Sequence, residues 1–148
     1  MKTEKELRLI IGQLLKSQQL AVLATEFNHR PYASLMAFAY AENLKKIYIF
    51  TERATQKYNN VSRNGNISML IDNRTNTIDD FKKAMAVTIK GQAKELSGAE
   101  KTEAEKLLLN RYPYLADYIH SSLATIFQFS IEEYVFVDEF QHTSALKL

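Results

Sequence analysis

Thr51, Arg53, Thr55 and Lys57, at alternate positions of the chain, are each a hydroxyl or a cation. They fall within TERATQKYNN, Thr51 to Asn60, between the alternating run KKIYIF and the segment VSRNGNISMLID, where a strand pattern gives way to a short helix. A helix that begins near Thr55 directs its first, unpaired N–H groups at one spot, and its dipole favours negative charge there. Thr55 can cap that helix or turn its hydroxyl to an incoming oxygen, while Lys57 adds a point charge one turn in. The chemistry such a set performs is anion binding, with phosphate the natural ligand. The same residues also read as a simple N-cap flanked by solvated cations, and spacing alone leaves both readings open.

Local charge favours the anion. Between Lys45 and Arg63 there are five basic residues and a single acid, Glu52. The whole chain carries a formal net charge of only +2, too mild for a nucleic-acid surface, so a local anion site fits better than a polyanion partner. The four glycines lie far apart, which excludes the dinucleotide and P-loop fingerprints. Neither HExxH nor GxSxG occurs, and the three histidines are scattered. With no cysteine, disulfides, thiolate nucleophiles and Cys-based metal sites are excluded, and any redox chemistry must come from a bound cofactor. No side chain stands out as a general acid or base, and no metal-ligand set is expected.

The elements that must position these residues follow from patterning. Thr3 and Glu6 form a capping-box pattern ahead of Leu7, Ile10, Ile11, Leu14 and Leu15 on one face, which predicts a helix to about Gln18. Leu20 to Thr25 reads as a buried strand, Glu26 to Arg30 as a polar turn and Pro31 to Tyr40 as a second strand. After a turn at Ala41 to Leu44 comes KKIYIFT, then the short helix ATQKYNNVSRN ended by Gly65, and then a fourth strand, Ile67 to Asp72. In the third strand Tyr48 and Phe50 alternate with Ile47 and Ile49, so one pair faces inward and the other packs outside.

NRTNTIDD is expected to be a loop, and Ala84 to Leu96 a long strand bulged at Gly91. Ser97 and Glu100 repeat the capping-box pattern before a helix to about Arg111, and Pro113 opens a further helical turn through His120. Two closing strand segments, around Thr125 to Ser130 and Tyr134 to Val137, precede QHTS, which reads as a mobile polar tail. At 148 residues this is one domain, residues 1–148, able to bury roughly 70% of its unfolded surface. The class is α+β with an antiparallel, barrel-like core, because closing six or more strands removes exposed edges.

In order, the segments from Leu20 to Asp72 resemble the FMN-binding split barrel of the pyridoxamine 5′-phosphate oxidase-like family. The pieces are a strand ending in LAT, a polar turn, PYASLMAFAY, a strand ending in Thr, the helix start around Thr55 to Lys57 with an Asn soon after, and ISMLID. GQAKEL and EEYVFVDEF add weaker agreement. The resemblance implies an antiparallel split β-barrel with flanking helices, assembled as a homodimer with cofactor sites at the interface. It further implies that Ser34 and the backbone of Leu35 and Met36 run beside the flavin. Thr51 would stand at the phosphate end, with Thr55, Gln56 and Lys57 gripping the phosphate and ribityl chain and Arg53 within reach. If the chain is dimeric, Asn73 and Arg74 could approach the partner's cofactor, although they also read as plain loop residues.

Departures from the family's founding oxidase narrow the function. That enzyme carries arginines where Ser34 and Gln56 stand, and its substrate motif contains tryptophan, which this chain lacks. Pyridoxamine-phosphate oxidation itself is therefore not expected. The resemblance implies an FMN-dependent oxidoreductase acting on an unidentified small molecule or electron donor. The alternative is a non-catalytic flavin- or heme-binding module for storage, sensing or delivery; deazaflavin is a further cofactor option. Nucleic-acid and membrane partners are not expected, and the charged N-terminus with no long apolar run predicts a cytoplasmic protein.

Overall fold

The computed structural model describes all 148 residues. Helix α1 (Glu4–Ser17) opens with the expected capping box, in which the Thr3 hydroxyl accepts the Glu6 N–H and the Glu6 carboxylate accepts the Thr3 N–H. Its apolar stripe of Leu7, Ile11, Leu14 and Leu15 is buried against the barrel.

Seven strands follow, β1 (Leu20–Phe27), β2 (Arg30–Tyr40), β3 (Lys46–Glu52), β4 (Asn66–Asp72), β5 (Ala86–Glu95), β6 (Ala124–Asp138) and β7 (His142–Lys147). All pair antiparallel in the order β3-β2-β1-β4-β5-β6-β7, and β3 also pairs with β6, so six strands close a barrel and β7 extends its rim. The fold is thus the expected α+β split barrel. β1 and β2 join through Asn28 and His29, both at positive φ, which is the two-residue turn that matches strand twist.

Alternation sorts the side chains into two cores. Ile47 and Ile49 of β3 point inward with Leu23, Met36, Phe38, Met69, Ile71 and Phe127. Tyr48 and Phe50 point outward and pack beneath α4 (Gly98–Arg111) and α5 (Ala116–Ile119), which cover the second cluster of Ala39, Leu108, Tyr112, Ile119 and Ile126. No helix is long and apolar enough to cross a membrane.

Several local expectations need correction. The closing segments are one continuous strand, β6, because the bulge that would split it is absorbed locally: Lys90 faces Glu133 while Gly91 faces Ile131, leaving Glu132 as the extra residue. A Cβ on Gly91 would sit 2.0 Å from the Ser130 carbonyl oxygen, so the glycine permits the approach. QHTS is no free tail but the turn and start of β7, whose Leu146 joins the main core. Gly65 does not end its helix through a left-handed conformation; its missing Cβ instead lets Ala93 come close, since a Cβ would lie 2.7 Å from the Ala93 oxygen. Ser97 makes no side-chain cap bond, so the second capping box does not form. The segment after β4 holds a short helix, α3 (Asp80–Lys83), where a plain loop is expected.

The split between strands is sealed by α4 and the residue after it. β2 pairs with β1 only as far as Ala37. At Phe38 the Tyr112 hydroxyl takes the missing strand's place, donating to the Phe38 carbonyl at 2.7 Å and accepting its N–H at 3.3 Å. Burial pushes the Tyr112 phenol above its ordinary pKa, which keeps it a neutral donor. Arg111 donates to the Leu15 carbonyl at 2.9 Å and to the Gln18 carbonyl, capping the C-terminal end of α1, while its guanidinium lies over the Phe38 ring. Replacing Tyr112 with Phe strips two buried backbone groups of their partner and should cost about 1–3 kcal/mol, read as a lower urea midpoint with an unchanged slope.

Candidate functional site

The short helix between β3 and β4, α2 (Gln56–Arg63), starts where the sequence predicts. Thr55 is its N-cap: the hydroxyl accepts the Tyr58 N–H at 3.2 Å and donates to the Glu52 carbonyl at 2.8 Å. Its proton is therefore committed to the turn. Thr51, almost fully buried, lies 3.3 Å away oxygen to oxygen and, with the Thr55 proton spent, is the donor of that pair, its own oxygen facing the cleft without a bonded donor. The Asn59 N–H bonds the Thr55 carbonyl, which leaves the N–H groups of Gln56 and Lys57 ahead of any intrahelical acceptor.

These groups border a cleft of about 330 Å³ lined by Leu35, Met36, Ala37, Phe50, Thr51, Glu52, Thr55 and Lys57. One wall is polar and is built by the end of β3 and the start of α2. The other is apolar and is built by the outer face of β2, with Leu35 66% exposed. The arrangement can hold an amphiphilic anion, with its charged end at Lys57 and the helix start and its apolar body along Leu35, Ala37 and Phe50.

Of the residues singled out in the sequence, Leu35, Met36, Thr51, Thr55 and Lys57 thus meet in one cleft. Three do not. Ser34 neighbours Leu23 across the strand pair, and its Oγ is buried without a partner. Gln56 turns to the other side of α2, donating to Asn60 at 2.8 Å, beside a separate polar hollow with Arg30 and Tyr32. Arg53 points away, 3.4 Å from both the Glu95 carboxylate and the Ser122 carbonyl. Asn73 and Arg74 lie beyond β4, where Asn73 accepts the Met85 N–H and Arg74 pairs with Asp72.

Two polar networks that sequence reasoning missed hold α2 in place. On one side buried Asn60 donates to the Thr25 hydroxyl at 3.1 Å, which reaches the Tyr32 carbonyl at 3.4 Å, tying α2 to β1 and β2. On the other Glu95 accepts from Thr125 at 2.7 Å and Tyr58 at 2.8 Å, as well as from Arg53. An Asn one turn into the helix was visible as a residue, but Glu95 lies 37 positions from Tyr58 and carried no sequence signal.

The Glu95 carboxyl feels opposing influences. Burial works to raise its pKa, but the hydrogen bonds from Thr125 and Tyr58 and the Arg53 charge prevail and hold it below the ordinary 4.5. A depressed carboxylate contributes stability that is whole above 4.5 and lost as pH falls through its lower folded value. Acid titration of stability should therefore show a limb that Glu95→Gln flattens, with the variant less stable near neutrality and converging on the wild type in acid; parallel curves would remove Glu95 from this role.

Comparison with known proteins agrees with this architecture. A family model described as pyridoxamine 5′-phosphate oxidase matches residues 11–138. No curated protein matches. Among solved structures, a heme-binding protein from Mycobacterium smegmatis superposes with a TM-score of 0.84 at 16% identity; the alignment covers 99% of this chain but only 59% of the length of that one. General stress protein 26 from Bacillus anthracis gives 0.72 at 18% identity, with 96% and 98% of the two chains covered. A related protein from Clostridium acetobutylicum, assigned to the pyridoxinephosphate oxidase family, gives 0.73 at 18% identity, with 99% and 97% covered. At such identities the likeness shows the fold alone. With the family model matching most of the chain and the strands closed in this order, the protein belongs to the pyridoxamine 5′-phosphate oxidase-like family.

Proposed function

We propose that the protein is an FMN-binding flavoprotein, an oxidoreductase that passes hydride or electrons through its flavin to a small molecule. The observation that carries this reading is the convergence of Lys57, the Thr51 hydroxyl and the first N–H groups of α2 on one end of a cleft whose other wall is apolar. Those residues fit the phosphate and ribityl part of FMN, and Leu35, Ala37 and Phe50 fit its apolar remainder. When bound, the flavin supplies the hydride or electron transfer. The chain's own work is to bind and orient: Lys57 and α2 neutralise the phosphate, and the networks through Asn60 and Glu95 keep that helix start fixed.

A cleft open along one wall asks for a cover, and the sheet offers a surface for one. Leu35, Val22, Leu70, Thr88 and Val135 stand in register across five strands on the outer face, so a row that is apolar except for Thr88 begins at the cleft. A second copy of the chain seated on this row would form an isologous dimer and close the cleft. Val22→Asp places a charge in the middle of the row and should convert a dimer to a monomer in sedimentation equilibrium.

Heme is the second reading, favoured by the Mycobacterium likeness. The histidines support it poorly, because all three are exposed and His142 pairs with Glu139 at 3.3 Å. Lys57→Ala should weaken FMN binding about tenfold or more in a fluorescence-quenching titration while leaving the melting temperature unchanged. Unchanged affinity would remove the proposed phosphate site. Mass analysis of the released cofactor separates FMN from deazaflavin and heme.

A further inference from the structure

The cleft does not end at the start of α2. Thr55 and Lys57 line it, while Gln56, the residue between them, faces a polar hollow of about 580 Å³ built with Asn28, Arg30, Tyr32 and Asn60. The first turn of α2 is therefore a rim shared by two spaces. β2 is shared as well, since Tyr32 lines the hollow and Leu35 to Ala37 line the cleft. β3 pairs with β2 only from Phe38 to Tyr40, so the edge of β2 turned away from β1 carries no strand from Arg30 to Ala37. Cleft and hollow are two reaches of one trough along that edge. Between them on β2 stands Ser34, whose buried Oγ has no partner.

The groups left free in the hollow define what it takes. Asn28 and His29, at φ 53° and 62°, close the turn that sets Arg30 opposite Phe27. Gln56 donates to Asn60 at 2.8 Å and Asn60 to Thr25 at 3.1 Å, which holds both amides in place. The side chains of Arg30 and Tyr32, by contrast, make no hydrogen bond or ion pair in the protein, and Tyr32 is 43% exposed. Arg63, in the last turn of α2, lies 5.0 Å over the Phe27 ring and is likewise bound to no acid. Glu26, the acid of this hairpin, is already spent on the His29 N–H at 2.6 Å and on Asn64 at 2.8 Å. An unspent guanidinium and an unspent phenol are donors that suit a phosphate, and the open Tyr32 ring is a face on which a base can stack.

Two separate anions, one at the helix start and one at Arg30, would repel each other across a single turn of α2. Carried by one molecule the same charges reinforce each other, because the second contact becomes intramolecular. The volume of the hollow also suits a nucleotide rather than a lone ion.

On the flavin reading of the cleft, on which this step rests, we propose that the site is open at its phosphate end and takes a flavin dinucleotide. FMN fills the cleft alone; FAD fills both reaches, with its second phosphate at Arg30 and its adenine against Tyr32. Calorimetric titration of the cofactor-free, full-length chain with FMN and with FAD tests this, and the ratio of the two affinities is the readout. FAD should bind at least about tenfold more tightly than FMN. In Arg30→Ala the ratio should fall toward one, Arg30→Lys should restore part of it, and Tyr32→Ala should reduce it severalfold. Lys57→Ala should weaken both flavins and leave the ratio where it was. A variant that merely folds poorly would lose both ligands together, so the ratio separates loss of the second contact from loss of the fold. FMN bound as tightly as FAD, or a ratio indifferent to Arg30→Ala, would overturn the proposal and leave the flavin reading standing. Binding of neither flavin would overturn both.

Discussion

The structure depends on the pairing of β3 with β6. Without it the sheet has two open edges and two half-covered faces; with it, Ile47 and Ile49 close over Phe127 and Phe129 and the interior becomes a single core. β6 can do this only because it is long and kinked, pairing with β3 along its first half and with β7 along its second while β5 runs beside much of both. The bend falls at Glu132 opposite Gly91, where no other residue leaves room for the Ser130 carbonyl. One missing side chain on β5 therefore conditions the closure on which both cores rest.

Closure also fixes the candidate site. The end of β3 carries Thr51 and Glu52 against Thr125 and Ala124 of β6, and α2 begins immediately beyond. A helix of eight residues is too short to be stable by itself, so its place is set by what it touches. Asn60 ties it to β1 and Glu95 ties it to β5 and β6, one network on each flank. Buried polar networks of this kind resist movement because breaking one bond leaves several groups unpaired. The helix start, with its free N–H groups, is thereby held toward the outer face of β2.

Polar satisfaction sorts the rest of the surface. Where hydroxyls and carboxylates are spent on one another, as around Asp80, the surroundings are left to apolar contact; where N–H groups and a lysine remain unspent, as at Lys57, an anion is favoured. Two buried side-chain atoms are exceptions, the Ser34 hydroxyl and Nη1 of Arg111, neither of which has a hydrogen-bond partner in the protein.

Alternation and capping patterns, which act over a few residues, were legible directly. The sequence alone determined α1 with its capping box, the first five strands of the barrel, the start of α2 at Thr55 and the alternation of Ile47 to Phe50 between two sides, because each depends on local periodicity and backbone chemistry; which pair faces inward came from the closed barrel. The order of those segments was also enough to point to the family. Tertiary structure decided which polar residues cooperate. Arg53 and Lys57 look equivalent on the page, yet Glu95 draws one away and leaves the other at the cleft. β7 looks like a tail in the sequence because an edge strand with one buried side chain, Leu146, has almost no pattern of its own and forms only against β6. Such long-range pairings are set by which groups the closed barrel brings within hydrogen-bond reach, and no local window of sequence contains that information.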